Sequence, residues 1–385
     1  MIIKLPKFRK KNIIVFVRNK IISMDTILPI LMEMKKVYGV QSTVVVFDQL
    51  THNGINENVV IRDALKYVGK ELYITKGENN KILRRIYVIY YLSLLTLDCI
   101  RGAKLIHFYA LDRWPLKILG YLFRKNVYRT QGSGYNFGYK KYKNISGNKP
   151  IKFTLVGKNR VSFKGAIPSS YIDNNGVTVF EFGPPRTRSV WLQYIYDSSD
   201  YYFSMYHGNV DVSSGIIVLI LSSLDGRSTI LRDPDDTQVE LFIKTIDILS
   251  KNSNGLPIFI KPHIYTNIKL LNNLIRNKRN LFVTYLHPTM LASKSKVFIA
   301  NQFSNTLADA YSLGVTTIEH TDYSNKMLKA TNHESIDKKF VSYFINNNVD
   351  LFEKTIIDII NKDFILKNIS GSIEDKSGLL LHLSS

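Results

Sequence analysis

The chain has 385 residues and carries 52 Lys and Arg against 31 Asp and Glu, a formal net charge of +21 at pH 7. That length exceeds one ordinary core and suits two domains of roughly 150 to 200 residues each. A hydrophobic share of 45% with 22% charged residues excludes a disordered or fibrous chain, and the single cysteine, Cys99, excludes an internal disulfide and fits a reducing cytoplasm. The excess of positive charge favours an anionic partner: nucleic acid, an anionic membrane or an acidic polymer. Part of it reflects a composition rich in Ile, Lys, Asn and Tyr.

The start, "MIIKLPKFRKKNIIVFV", has no cleavable apolar region. Its cations Lys4, Lys7, Arg9, Lys10 and Lys11 suit either anionic headgroups or a solvated leader. "NIIVFV" (Asn12–Val17) reads as a buried strand, and Asp25–Gly39 as a helix with Asp25 as cap and Gly39 as stop. Ser42–Asp48, Glu71–Thr75, Lys104–Ala110 and Asn126–Thr130 read as further strands. Helices around Asn80–Arg101 and Arg113–Phe123 separate them. The apolar run Ile86–Ile100 is shorter than the ~20 residues of a spanning helix and contains Asp98, so it predicts a buried or interfacial helix.

The stretch Tyr135–Gly215 is irregular and is expected to hold linkers or interdomain loops. Alternation then returns. Strands are expected at Gly215–Ser223, Leu256–Pro262, Asn280–Tyr285, Lys296–Ala300 and Val315–Glu319. Helices are expected at Asp235–Lys251, Ile264–Arg276, Ser304–Gly314 and Val349–Asn361, with a loose tail after them. Strand–helix alternation predicts an α/β fold of two Rossmann-like doubly wound domains facing a cleft. The expected organisation is an N-terminal Rossmann-like domain over 1–190, a linker or interdomain segment over 191–214, a C-terminal Rossmann-like domain over 215–348, and a C-terminal helix and tail over 349–385.

Candidate chemistry gathers at strand ends, where doubly wound sheets bind ligands. Five of the six residues Asn301–Thr306 are polar, and they join a strand to a helix. The N–H groups and positive end of that helix attract an anion, to which Ser304 and Thr306 add hydroxyls and Asn301, Gln302 and Asn305 add amides. Phosphate binding is expected there; the alternative is that Ser304 merely caps the helix. In Lys261-Pro262-His263, the proline keeps Lys261 extended and sets His263 at the top of the sheet, opening the next helix. His263 can hydrogen-bond or protonate a leaving phosphate, or it is a capping or packing histidine. Gln131-Gly132-Ser133-Gly134 ends the first domain with glycines that permit close approach to a ligand, or form an ordinary turn. Asp233-Pro-Asp235 fits a helix start better than a metal site, and Leu286-His287-Pro288 fits a turn or a wall for a nucleotide base. Zinc spacing, a Walker loop, a G-x-S-x-G elbow and nucleic-acid motifs are missing from the sequence, so nucleic acid is not expected as a partner.

These residues resemble a family. The chain is similar to bacterial glycosyltransferases of the two-Rossmann, glycosyltransferase-B architecture, in particular capsule and lipopolysaccharide sialyltransferases, polysialyltransferases and Kdo transferases. Lys261-Pro262-His263 matches their Lys-Pro-His-Pro, with Ile264 in place of the second proline, and Ser304–Thr306 stands where they carry a Ser-Ser/Thr pair. The resemblance is best over Gly215–Asp322. It implies a metal-independent transfer from a nucleotide-sugar donor, CMP-linked, with no other cofactor. The implied acceptor is an anionic glycan or glycolipid, and the implied location is the inner face of the cytoplasmic membrane.

The family often carries an acidic pair before a glycine at the end of the first domain, one acid serving as general base. Here that place is Thr130-Gln131-Gly132, and glutamine cannot take a proton. Asp25, Asp48, Asp112 and Asp225 are the alternative carboxylates, and Asp225, after the first strand of the second domain, is the favoured one; its competing reading is a plain Asp-Gly turn. A polyol-phosphate transferase and a catalytically degenerate glycan-assembly scaffold are the competing functions.

Overall fold

The computed structural model describes residues 12–17, 21–76, 79–108, 110–112, 114–130, 157–163, 177–222, 224, 238–263, 266–363 and 375–385. Contacts divide the chain into two units, one running to Trp191 and taking in the C-terminal residues from 375, the other running from Leu192 to 363 among the described residues.

The first unit is built on a seven-stranded parallel sheet of β1 (Asn12–Val17), β2 (Gln41–Val46), β3 (Gly69–Tyr73), β4 (Lys104–His107), β5 (Val127–Thr130), β6 (Asn159–Ser162) and β7 (Thr178–Glu181). Their spatial order is β3-β2-β1-β4-β5-β6-β7. Ile13–Val17 of β1 and Val44–Val46 of β2 are unbroken apolar runs because both of their faces are covered. Helix Ile21–Tyr38 begins a turn earlier than its sequence suggests. Asp25 is therefore inside the helix rather than its cap. Gly39, at φ +65°, ends it as expected.

Two corrections concern this unit. The stretch expected to hold linkers contains β6, β7 and helix Ser189–His207, which takes in much of 191–214. "NRVS" and "TVFE" are four residues long, with three and two polar residues, too short to show a strand period. The expected loose tail contains helix Leu379–Ser384, which buries Leu379, Leu380 and Leu383. There His382 Nδ1 lies 2.6 Å from the Tyr128 hydroxyl.

A buried ion pair also belongs to this unit. Arg188 Nε donates to Glu33 Oε2 at 2.8 Å, and its Nη2 reaches Oε1 at 2.5 Å. The guanidinium also lies 5.0 Å from the centre of the Phe182 ring.

The second unit holds a six-stranded parallel sheet of β8 (Ile216–Ile220), β9 (Ile258–Lys261), β10 (Leu281–Val283), β11 (Ser295–Asn301), β12 (Thr316–Thr321) and β13 (Tyr343–Asn346). Its order is β10-β9-β8-β11-β12-β13. In both sheets the first three strands lead outward one way and the later strands the other. The order reverses between β1 and β4 in one sheet, and between β8 and β11 in the other, which is where a doubly wound sheet opens a crevice at its carboxyl ends. One face of the second sheet, carrying Ile217, Leu219, Ile258, Ile260, Val297, Ile299 and Ile318, is covered by Phe242, Ile246 and Leu249 of helix Gln238–Asn252 and by Phe352 and Ile356 of helix Val349–Ile360. On the opposite face Phe203 meets Phe259 edge to face at 5.7 Å.

Candidate functional site

The carboxyl ends of β9, β8, β11 and β12 form the candidate site. Register sets Lys261, Ile220, Ala300 and Glu319 in one row across these four strands. Lys261 is thus two strands from the β11 end, about 10 Å at the usual strand spacing. Its Nζ donates to the Tyr285 carbonyl at 3.3 Å, beyond the end of β10. His263 follows two residues later. Its surface is exposed, yet the protein around it holds its imidazole pKa below the usual histidine value. Its carbonyl accepts the Thr266 N–H at 2.8 Å. His263 does not open the next helix: Asn267 caps it, and the helix runs Ile268–Ile275.

At the end of β11 the chain turns sharply. Gln302 takes φ +76°, a conformation uncommon for a residue with a Cβ. It is 3% exposed, and its Nε2 has no hydrogen-bond partner. Phe303 N–H donates to the Tyr323 hydroxyl at 2.9 Å. Ser304 caps helix Asn305–Ser312, its Oγ accepting Thr306 N–H at 3.3 Å and lying 2.8 Å from Thr306 Oγ1. Asn305 Oδ1 is buried without a hydrogen-bond partner. Gln302 and the Ser304–Thr306 hydroxyl pair therefore meet at one helix N-terminus, where N–H groups and the helix dipole favour negative charge.

Asn301 differs from its expected part in donor binding. Both its amide hydrogens are used inside, Nδ2 donating to Thr245 Oγ1 at 3.0 Å and to the His320 carbonyl at 3.3 Å. Thr245 gives its own hydroxyl proton to Leu241 O at 2.7 Å, so the 2.9 Å contact to His320 Nδ1 makes that nitrogen the donor. Burial, aided by the charge of Lys244, pushes the His320 pKa down to about 4. Its ring stacks on Phe352 at 3.9 Å. Asn301 and His320 thus brace the sheet against its helices.

Behind the turn lies a polar network that the sequence reading passed over. Glu319 is fully buried, and the hydroxyls of Tyr323 and Ser335 both donate to its carboxyl. Burial pushes its pKa up to about 7 against the opposing pull of those bonds. The signal available was a glutamate inside "VTTIEHT", an acid in a central strand.

Gln131, Gly132, Ser133, Asp225 and the Asp233–Asp235 pair lie outside the described residues. Asp48 is a helix cap, its carboxylate accepting Thr51 N–H at 2.8 Å and Thr51 Oγ1 at 3.0 Å. His287 caps helix Pro288–Ser293 through Nδ1 and is buried. Among the described residues no group of three or more His, Cys, Asp or Glu is placed to hold a metal ion. In the first unit, register aligns His107, Arg129 and Arg160 across β4, β5 and β6. All three are buried, and burial together with the two guanidinium charges holds the His107 pKa well below its usual value.

No protein-family model matches the chain, and no curated protein matches it by sequence. Solved structures do match in fold. The UDP-GlcNAc 2-epimerase of Methanocaldococcus jannaschii, in complex with UDP-GlcNAc and UDP, aligns over 97% of this chain and 99% of its own, with 15% identity and a TM-score of 0.55. S. aureus MnaA, solved with UDP, aligns over 91% of this chain and 88% of its own, with 9% identity and a TM-score of 0.51. At such identities the likeness is one of fold, and the fold is two doubly wound parallel α/β domains of the glycosyltransferase-B kind.

Proposed function

We propose that the protein is a glycosyltransferase. It moves a sugar of the sialic acid or Kdo type from a CMP-activated donor to an anionic polysaccharide or lipopolysaccharide acceptor at the inner face of the cytoplasmic membrane. The observation that carries this reading is the β11 turn. A left-handed, buried Gln302 with an unpaired amide nitrogen adjoins a helix N-terminus lined by the Ser304–Thr306 hydroxyls, beside the point where strand order reverses.

In the proposed reaction an acceptor hydroxyl attacks the anomeric carbon as the bond from that carbon to the phosphate oxygen breaks. The phosphate leaves with the electron pair. Helix N–H groups, the two hydroxyls and the Lys261 ammonium offset the charge as it develops. His263, its pKa depressed, acts through a neutral N–H on a phosphate oxygen rather than as an acid in the empty site. We assign removal of the acceptor proton to Asp225 from its place after β8, since Gln131 cannot accept it. Because protein groups supply the countercharge, a chelator is expected to leave turnover unchanged.

The cytidine nucleotide rests on the Lys261-Pro262-His263 resemblance. UDP, the nucleotide in both structures described above, is the competitor. Turnover assays with CMP-sugars, UDP-sugars and CDP-glycerol test the reading. CMP-sugar turnover supports it, CDP-glycerol turnover favours the polyol-phosphate transferase, and nucleotide binding without any turnover favours the scaffold.

A further inference from the structure

Helix Lys81–Ile100 is apolar on two sides. Val88, Tyr91, Leu92, Leu95 and Cys99 share one side and pack on the core with Ile14, Leu105 and Val127. On the other side, Ile82, Ile86, Ile89, Tyr90, Leu97 and Ile100 fall within an arc of about 100° at 3.6 residues per turn. All six are exposed. A surface helix ordinarily presents polar residues there. The one polar residue in the arc, Ser93, turns its hydroxyl back onto Ile89 O at 3.0 Å.

Helix Lys117–Leu122 covers the same core through Leu119, so it lies on the same side of the sheet. Its Ile118, Tyr121 and Leu122 are exposed as well, and Trp114, just before it, is 77% exposed. The long helix carries one acid, Asp98, which is 3.8 Å from Arg101. At 100° per residue Arg85 lies about 40° beyond one edge of the arc and Arg101 about 20° beyond the other, and both are exposed. Lys81 and Arg84, in the first turn, fall on the opposite side of the helix. The long helix falls short of a transmembrane span: among the described residues no helix is long and apolar enough to cross a membrane.

We propose that this face docks on an anionic phospholipid surface. The apolar stripe and the rings of Tyr90, Tyr121 and Trp114 enter the boundary between headgroups and acyl chains, while Arg85 and Arg101 at its edges meet lipid phosphates. An apolar stripe edged by Arg85 and Arg101, on a chain of net charge +21, complements a negatively charged bilayer. The inference deepens the membrane association in the proposed function by naming its surface. It uses residues of the first unit alone, so vesicle binding and nucleotide binding can fail separately.

Vesicle co-sedimentation tests it, using phosphatidylcholine alone or mixed with phosphatidylglycerol at low and high salt. Tryptophan emission reports in parallel, because the other tryptophan, Trp191, is fully buried. The expected result is binding to the mixed vesicles with a blue shift, weakened at least tenfold by salt or by phosphatidylcholine alone. The exposed-site pair Ile86→Glu and Leu97→Glu should weaken it at least tenfold with an unchanged urea midpoint and an unchanged nucleotide thermal shift. Arg85→Glu with Arg101→Glu should weaken binding to the anionic vesicles most. Wild type remaining in the supernatant overturns the proposal, as does equal binding by the Ile86/Leu97 pair. A wild-type dimer that the pair converts to monomer, without vesicle binding, overturns it in favour of a second copy as occupant.

Discussion

Tyr323 accepts the backbone N–H of Phe303 at 2.9 Å while its hydroxyl proton goes to Glu319. A side chain from the segment after β12 thereby fixes the turn after β11, and with it the positions of Gln302 and Ser304. Tyr323→Phe removes the acceptor and the donor together, leaving a backbone N–H and a buried carboxyl short of a partner. The expected cost is about 1–3 kcal/mol in urea unfolding. Any nucleotide-induced rise in Tm should shrink as well, because the turn loses its anchor. An unchanged nucleotide shift in the variant would separate Tyr323 from the site.

Glu319 and His320 are adjacent and titrate in opposite senses. The Glu319 pKa is raised in the fold from 4.5 to about 7. Its favourable contribution is therefore complete below the unfolded value and is lost as pH rises from about 4.5 to 7. The His320 pKa is lowered from 6.5 to about 4, so its contribution is present above 6.5 and lost as pH falls toward 4. Between these limits the two effects oppose each other. Glu319→Gln keeps the size of the side chain and an acceptor for one of the two hydroxyls, and it removes one of the two slopes. Relative to that variant, wild type should lose roughly 3 kcal/mol as pH rises from 4.5 to 7. Denaturant midpoints at several pH values read this directly, and a pH-independent difference would contradict a buried carboxyl.

The Arg188–Glu33 pair is almost wholly buried, at 3% and 7% side-chain exposure. Arg188→Met strands the carboxylate and should cost about 3–5 kcal/mol. Adding Glu33→Leu should recover most of that, since two apolar residues of similar size need no partner. Urea unfolding of the two single variants and the double variant gives the coupling.

The C-terminal helix is a structural part of the first unit. Leu383→Ala should destabilise by roughly 2–5 kcal/mol, the usual cost of emptying a buried leucine site. An effect near zero in thermal unfolding would mean the helix does not hold there.

The two parallel sheets were legible because their central strands, such as "NIIVFV" and "IIVLI", are continuous apolar runs between amphipathic helices. The Ser304 cap and the end of β9 at Lys261 were legible for the same reason: each closes such a run with a polar residue. β6, β7 and β13 were missed because strands of four residues are too short to carry a period. The opposite use of Asn301 and Gln302 was hidden, since adjacent side chains on a strand point to opposite faces and only the helix at Thr245 decides which amide is used up. The Tyr323–Phe303 bond joins side chain to backbone across 20 residues, and no local pattern encodes it.

The most direct measurement is the nucleotide-induced rise in Tm for wild type, His263→Ala, and Ser304→Ala with Thr306→Ala, screened against CMP, CDP, UDP and GDP. A ligand held only by the folded state at a hundred times its Kd adds about 2.7 kcal/mol of stability. CMP or CDP is expected to raise the wild-type Tm, and each variant to lose most of that rise while remaining folded. Equal rises in wild type and both variants, or no rise with any of the four nucleotides, would contradict an anion site at the ends of β9 and β11.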